Sequence, residues 1–218
     1  SRGKSALEDY FDHAPQLEDE LRAKGKDKLL EVLQSTNMDS GDIAYIRQHK
    51  ALGLGHAIWC AGRLIGDEPF AVILPDDVIA ADKPCLQQMV EAYEAAGSTG
   101  NMVAAMEVPR DKTSAYGILD VDSPDGAMVE VKGMVEKPRA EDAPSNLAVI
   151  GRYILTPKIL ENLESGEKGA GGEIQLTDAI AKEIGGEGVH GYRFNGQRFD
   201  CGSKSGFLQA TVAFGLAR

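Results

Sequence analysis

The stretch "FAVILPDDVIAADKP", residues 70–84, decides the fold. Its five leading apolar residues, Phe70 to Leu74, have the length and continuity of a strand covered on both faces, as in sheets flanked by helices. A proline stops the run, and two adjacent acids, Asp76 and Asp77, follow. In open α/β sheets ligands sit beyond the carboxyl ends of the strands, so this pair falls where a site is expected. Two readings stand. The acids are the polar rim of a turn that caps the next helix, or they hold a cation. Mg²⁺ takes one or two carboxylates and fills its other positions with water and substrate phosphates. Two acids where a sheet opens are costly unless neutralised, which favours the metal.

Working outward, the chain before this strand reads as helix over 5–36, interrupted near Gly25, then a short strand "DIAYIRQ" (42–48) and an apolar-faced helix "GLGHAIWCAGRLI" (53–65). After it come a helix at 85–96 and a strand at 101–108. Residues 116–138 read as a hairpin with turn chemistry in "SPDG" (123–126). A strand at 147–155, helices at 157–165 and 174–185, a strand and turn at 188–200 and a helix at 204–217 complete the series. Helix and strand alternate in the first half, which argues a mostly parallel sheet with helices on both faces. Antiparallel hairpins follow in the second half. One mixed α/β domain over 1–218 is the expectation.

Composition narrows the function. The 218 residues carry 43% hydrophobic and 26% charged side chains, with a formal net charge of −11, so a nucleic-acid surface is excluded as the main business. No apolar run approaches the ~20 residues of a membrane span. The three cysteines, Cys60, Cys85 and Cys201, show neither metal spacing nor a disulfide framework, which fits a reducing cytoplasm.

Other residues could serve a site. Asp200 ends a strand before Cys201-Gly202 and could be a second acid for Asp76, or a plain polar strand end. In "VEKP" (135–138), Glu136 could accept from two vicinal sugar hydroxyls and Lys137 could meet phosphate as a point charge. A surface charge pair is the commoner meaning of such a dipeptide. Successive strand side chains also point to opposite faces, so Glu136 and Lys137 need not share a ligand. Gln48 could read a nucleobase edge through its paired donor and acceptor, with Gly53 and Gly55 letting a base or phosphate approach the backbone. A third glycine is missing at Ile58, so this is no dinucleotide fingerprint. Gly117 could offer its backbone to a ligand or simply begin a strand. No serine or cysteine has the setting of an activated nucleophile.

Taken in order, Arg2 to Asp12, "RQHKALGLGHAIWCA" (47–61), "VILPDDV" (72–78), "AYGILDV" (115–121), "VEKP", "SNLAVIGRYIL" (145–155), "GGEIQLTDAI" (171–180) and "RFDCGSKSGFLQA" (198–210) resemble one family. It is that of the bacterial-type UTP–glucose-1-phosphate uridylyltransferases, or UDP-glucose pyrophosphorylases, and the likeness runs from the first residue to the last. The resemblance implies a Rossmann-like nucleotidyltransferase fold. It implies a reaction in which UTP and glucose 1-phosphate give UDP-glucose and pyrophosphate, with Mg²⁺ as cofactor. By that resemblance Gln48, Gly53 and Gly55 contact uracil, and Asp76 and Asp200 hold Mg²⁺. Gly117 lines the sugar pocket, Glu136 holds glucose hydroxyls and Lys137 lies against the phosphates. Asp77 is a weaker candidate, behind the metal ligands.

The resemblance also implies a cytoplasmic homo-oligomer, dimer or tetramer, with neither nucleic acid nor membrane as partner. Family members open with a strand and a G-x-G-T-R-type loop that cradles the triphosphate, and nothing in this sequence matches that loop. The expectation is therefore a domain shortened at its N-terminus, or at both termini, that is inactive as it stands. The alternatives are a dTDP-glucose-type pyrophosphorylase and a non-catalytic module that binds a sugar nucleotide. A metal-dependent glycosyltransferase would use similar acids.

Overall fold

The structure, a computed structural model, describes residues 3, 5–122 and 126–217. It divides into two compact units, 1–51 and 52–218. The first unit holds helices α1 (Ser5–Phe11), α2 (Pro15–Ala23) and α3 (Asp27–Gln34). The break between α2 and α3 falls at Gly25, as expected, and Lys26 N–H closes it by donating to Leu21 O at 2.9 Å. Glu18 of α2 is buried and draws the two helices together. It accepts from Gln34 at 2.9 Å, Arg22 at 3.1 Å and Asn37 at 3.3 Å. The strand expected at 42–48 does not form: this segment is irregular among the described residues. Its β-branched and aromatic residues suit a strand, but a strand exists only where a ladder partner lies alongside.

The second unit is a mixed sheet between helices. In chain order it contains α4 (Leu54–Ile65), β1 (Phe70–Ile73), β2 (Asp77–Ala80), α5 (Cys85–Ala95), β3 (Asn101–Glu107), β4 (Gly117–Asp120), β5 (Met128–Glu130) and β6 (Gly133–Glu136). There follow β7 (Leu147–Leu155), α6 (Lys158–Glu164), α7 (Leu176–Ala181), β8 (Val189–Arg193), β9 (Gln197–Asp200) and α8 (Lys204–Leu216). Strand order in the main sheet is β5-β8-β3-β7-β4-β6, with β1 also paired to β7; β2 and β9 form a separate two-stranded ribbon.

The α/β class holds, but the pairing differs from the mostly parallel expectation. Among the described pairs only β3 with β8 is parallel. The chain makes an excursion through β4–β6 before returning, so β7 enters beside β3 running the opposite way. The hairpin expected over 116–138 is also re-partnered. β4 pairs with β6, while β5 reaches across to β8. Residues 123–125 of the expected turn lie outside those described.

Alternation along β3 explains the two-sided core, because successive strand side chains point to opposite faces. Val103 and Ala105 face the cluster of Ile58 (α4), Ile159 and Leu163 (α6) and Ile180 (α7), while Met102 and Ala104 face Met89 and Tyr93 of α5. Each fully buried side chain such as Ile159 or Ile180 contributes roughly 1.5–3 kcal/mol. The run Phe70–Leu74, expected to be covered on both faces, is not. Ala71 and Ile73 are exposed, the latter 54%, and among the described residues only β7 pairs with β1. Among the described residues no helix is long and apolar enough to cross a membrane.

Candidate active site

Asp76 and Asp200 meet at the β2–β9 ribbon. The antiparallel register sets Asp77 opposite Asp200, and Cys201 N–H extends the ladder by donating to Asp76 O at 2.7 Å. Residues 124 apart in sequence thus become neighbours. The cleanest measure is Gly202: a Cβ there would lie 3.1 Å from Asp200 Oδ1 and 3.2 Å from Asp76 Oδ2. Both carboxylates border the small volume that the absent Cβ of Gly202 leaves open. Gly202 N–H donates to Asp200 Oδ1 at 3.1 Å. Among the described residues neither acid has a salt-bridge partner, and no third His, Cys, Asp or Glu joins them as a ligand. Two unpaired carboxylates without soft ligands suit a hard cation that keeps water and substrate oxygens, as Mg²⁺ does, and do not suit zinc.

Asp77, next in sequence, is built for the opposite purpose. It is 7% exposed, and both its oxygens are engaged. Oδ2 accepts from Gly151 N–H at 2.7 Å and Oδ1 from Arg198 Nε at 2.5 Å. The two aspartates therefore divide the work: one faces the solvent and the other ties the ribbon down.

A second cluster forms at the β4–β6 edge. The register places Gly117 opposite Glu136, whose carboxylate is 12% exposed and accepts from Thr177 Oγ1 of α7 at 2.7 Å. A Cβ on Gly117 would lie 3.1 Å from Glu136 Oε2 and 3.3 Å from Thr177 Cγ2. Lys137 has φ +49°, a left-handed conformation rare for a residue with a Cβ and one that collects at functional sites. Its N–H donates to Tyr116 O at 2.9 Å, and the turn brings Nζ to 3.6 Å from Glu136 Oε1. The opposite-faces rule for strands is overridden because Lys137 has already left the strand. Burial raises the pKa of Asp178, and the charge on Glu136 raises it further, against the pull of Lys182.

Tyr153 of β7 links the two clusters. Burial pushes its hydroxyl up strongly, and Asp77, Glu136 and Asp76 add to the shift in that order. All three acids therefore act on one side chain of the central strand.

Gly53 and Gly55 open α4, as expected, but their Cβ directions are filled by protein. A Cβ on Gly53 would be 2.8 Å from Glu173 Cβ and Ile174 O, and one on Gly55 would be 2.6 Å from Leu163 Cδ2. Gly55 N–H donates to Ile174 O at 2.9 Å, and Ile174 N–H to Leu52 O at 2.7 Å. This close approach accounts for both glycines without a ligand. Gln48 belongs to the 1–51 unit, on the irregular segment, and is half-buried.

A family model described as nucleotidyl transferase matches residues 17–215. The chain is 54% identical over 204 residues to a UTP–glucose-1-phosphate uridylyltransferase of Komagataeibacter xylinus, covering 94% of this chain and 71% of that one. It is 48% identical over 216 residues to the protein of the same name from Bacillus subtilis, covering 99% and 73%. The chain belongs to the UTP–glucose-1-phosphate uridylyltransferase family. Solved structures agree. A UDP-glucose pyrophosphorylase complexed with UDP-glucose superposes with a TM-score of 0.85 at 41% identity, over all of this chain and 79% of that one. A UTP-bound UGPase from Acinetobacter baumannii does so with a TM-score of 0.87 at 38% identity, over all of this chain and 75% of that one.

Within this nucleotidyl transferase family member, sequence reasoning missed three supporting residues. Thr177 lay in the quoted "GGEIQLTDAI" without a role, and Arg198 lay two residues before Asp200. Gly151 lay mid-strand in β7, where a glycine signals a bulge or a close backbone approach. That last signal was readable. The other two residues are ordinary until strand register sets them against Glu136 and Asp77.

Proposed function

We propose that the chain supplies the metal- and sugar-binding chemistry for joining UTP and glucose 1-phosphate into UDP-glucose and pyrophosphate. The convergence of Asp76 Oδ2 and Asp200 Oδ1 on the space beside Gly202 carries this reading, together with the family to which the chain belongs.

In the proposed reaction the phosphate oxygen of glucose 1-phosphate attacks the α-phosphorus of UTP, and the bond to the β-phosphate oxygen breaks as pyrophosphate leaves. The attacking oxygen is already anionic, so no protein nucleophile or general base is required. What remains for the protein is alignment and charge neutralisation. Glu136, oriented by Thr177, would accept from two glucose hydroxyls. Gly117 leaves the space in which Glu136 lies. Lys137 would set its ammonium against the sugar phosphate and the developing charge. Mg²⁺ held by Asp76 and Asp200 would neutralise and orient the phosphates of UTP. Gln48 would recognise uracil through its paired donor and acceptor. A cytoplasmic homo-oligomer belongs to the same reading.

The test is pyrophosphate release from glucose 1-phosphate with each nucleoside triphosphate in turn. It is run on the full natural protein that bears this sequence. Release with UTP above dTTP, lowered at least about 10²-fold in Asp76→Ala, is the expected result. No release with any triphosphate from the folded protein would overturn the enzymatic reading and leave a sugar-nucleotide binding module.

A further inference from the structure

Strand β7 carries an irregularity next to the candidate metal acids. Its pairing with β3 slips between Val103, opposite Tyr153, and Ala104, opposite Ile150. Gly151 and Arg152 therefore have no partner on β3. Such bulges re-aim the chain, and they gather near active sites. Here the Gly151 backbone and the Arg152 side chain are tied to the segment that bears Asp76. Gly151 N–H donates to Asp77 Oδ2 at 2.7 Å, and Gly151 O accepts from Leu74 N–H at 2.9 Å. The Arg152 guanidinium donates to Leu74 O at 2.9 Å and to Asp77 O at 2.5 Å. A Cβ on residue 151 would be 2.6 Å from Asp77 Oδ2 and 2.7 Å from Leu74 Cβ, so only glycine admits this approach.

The other oxygen of Asp77 reaches across the ribbon. Arg198 of β9 donates Nε–H to Asp77 Oδ1, and both side chains are 10% exposed. Arg198 also donates from Nη1 to the Tyr116 hydroxyl at 3.0 Å, with its guanidinium 5.1 Å from the centre of that ring. One buried carboxylate thus joins three backbones: the β7 bulge, the Asp76 turn and the strand that ends in Asp200.

We propose that Asp77, clamped between the Gly151 bulge and Arg198, is a positioning residue that sets the spacing of Asp76 and Asp200 for a divalent cation. This inference rests on the metal reading above. Asp76 lies one residue before Asp77 and Asp200 two residues after Arg198, so among the described residues the Asp77–Arg198 pair is a direct side-chain tie between the two carriers. It gives the doublet of aspartates separate purposes. The exposed acid meets the ion, and the buried one holds the frame. Asparagine at 77 is the sharp probe. Its amide can keep one acceptor for Gly151 N–H, but then turns an N–H₂ donor toward the Arg198 Nε–H donor. The clamp to β9 opens while size and the tie to β7 are kept.

The experiment titrates Mn²⁺ in the presence of UDP-glucose, read by loss of the free-ion electron paramagnetic resonance signal, well below the thermal transition of each variant. The chain is compared with Asp77→Asn, Asp76→Ala and Ile159→Val, the last a core change distant from the ribbon that lowers stability alone. The expected result is Mn²⁺ binding abolished in Asp76→Ala and weakened about 10–100-fold in Asp77→Asn, the range for residues that orient metal ligands. Ile159→Val should bind as the parent does. Turnover in Asp77→Asn should recover in part as Mg²⁺ is raised, which a merely structural loss would not do. Unchanged affinity in folded Asp77→Asn, with binding lost in Asp76→Ala, overturns the clamp alone. Unchanged affinity in Asp76→Ala overturns the metal assignment and the clamp with it.

Discussion

Among the described residues, Asp76 and Asp200 at the β2–β9 ribbon have no salt-bridge partner, whereas at the β4–β6 edge Glu136 accepts from Thr177 and lies 3.6 Å from Lys137. The contrast follows from what each carboxylate is proposed to meet. A hard cation needs oxygens free of protein cations, which would compete for them. Rigidity at the ribbon is therefore delegated to a neighbour, Asp77, whose own charge is spent on Arg198 and a backbone N–H. A sugar hydroxyl is neutral and directional, so the carboxylate that receives it gains from being oriented by its own hydrogen bond. One region keeps its acids free and braces them from behind; the other partners its acid directly.

Three changes at the β4–β6 edge and on α7 beside it sharpen that contrast. The largest effect is expected from Lys137→Gly. A left-handed residue bearing a Cβ costs about 1–2 kcal/mol, while glycine costs about 0.5–1 kcal/mol in chain entropy, so thermal stability should hold or rise slightly. Activity should nonetheless fall on the order of 10²-fold, since the ammonium proposed to meet the phosphates is gone. A fall in melting temperature alongside the lost activity would mean that Lys137 serves the strand end and not the substrate.

A smaller effect is expected from Gly117→Ala. The new methyl would lie 3.1 Å from Glu136 Oε2, so the carboxylate must shift by a few tenths of an ångström. KM for glucose 1-phosphate should rise about tenfold with KM for UTP unchanged, as misplacement of a positioning group predicts. Equal changes in both constants would show that Gly117 does not report on the sugar side.

The smallest effect is expected from Asp178→Asn. The pKa of Asp178 is raised above its ordinary value, first by burial and then by Glu136. A raised carboxylate favours folding most below its unfolded pKa, and that contribution is lost as pH rises through the folded value. The asparagine variant should therefore gain stability over the parent at pH 7 and show no gain near pH 3.5, measured by denaturant titration. A gain equal at both pH values would remove the electrostatic explanation.

These residues also show what a sequence can and cannot disclose. The apolar run at 70–74 announced a strand, and β1 is there, but the run could not say which neighbours would cover it. Alternating helix and strand announced an α/β sheet, yet strand direction depends on the excursion through β4–β6, which no local pattern encodes. "DIAYIRQ" has strand-like residues but no ladder. Glu136 and Lys137 were legible as a charged pair, while their shared facing depends on one left-handed dihedral angle. Asp200 was legible only as one of two options, a second acid for Asp76 or a plain strand end, because a contact across 124 residues leaves no trace in spacing. Arg198 and Thr177 escaped for the same reason. Each is chemically ordinary, and its role is created by register.

The most direct test of the central claim is a crystal structure of the protein soaked with Mn²⁺ and UDP-glucose, with anomalous differences collected near the manganese edge. The claim predicts a single strong peak between Asp76 and Asp200, about 2.0–2.3 Å from one oxygen of each and bordered by the diphosphate. A peak that touches neither aspartate, or that sits on Asp77 in their place, would contradict it.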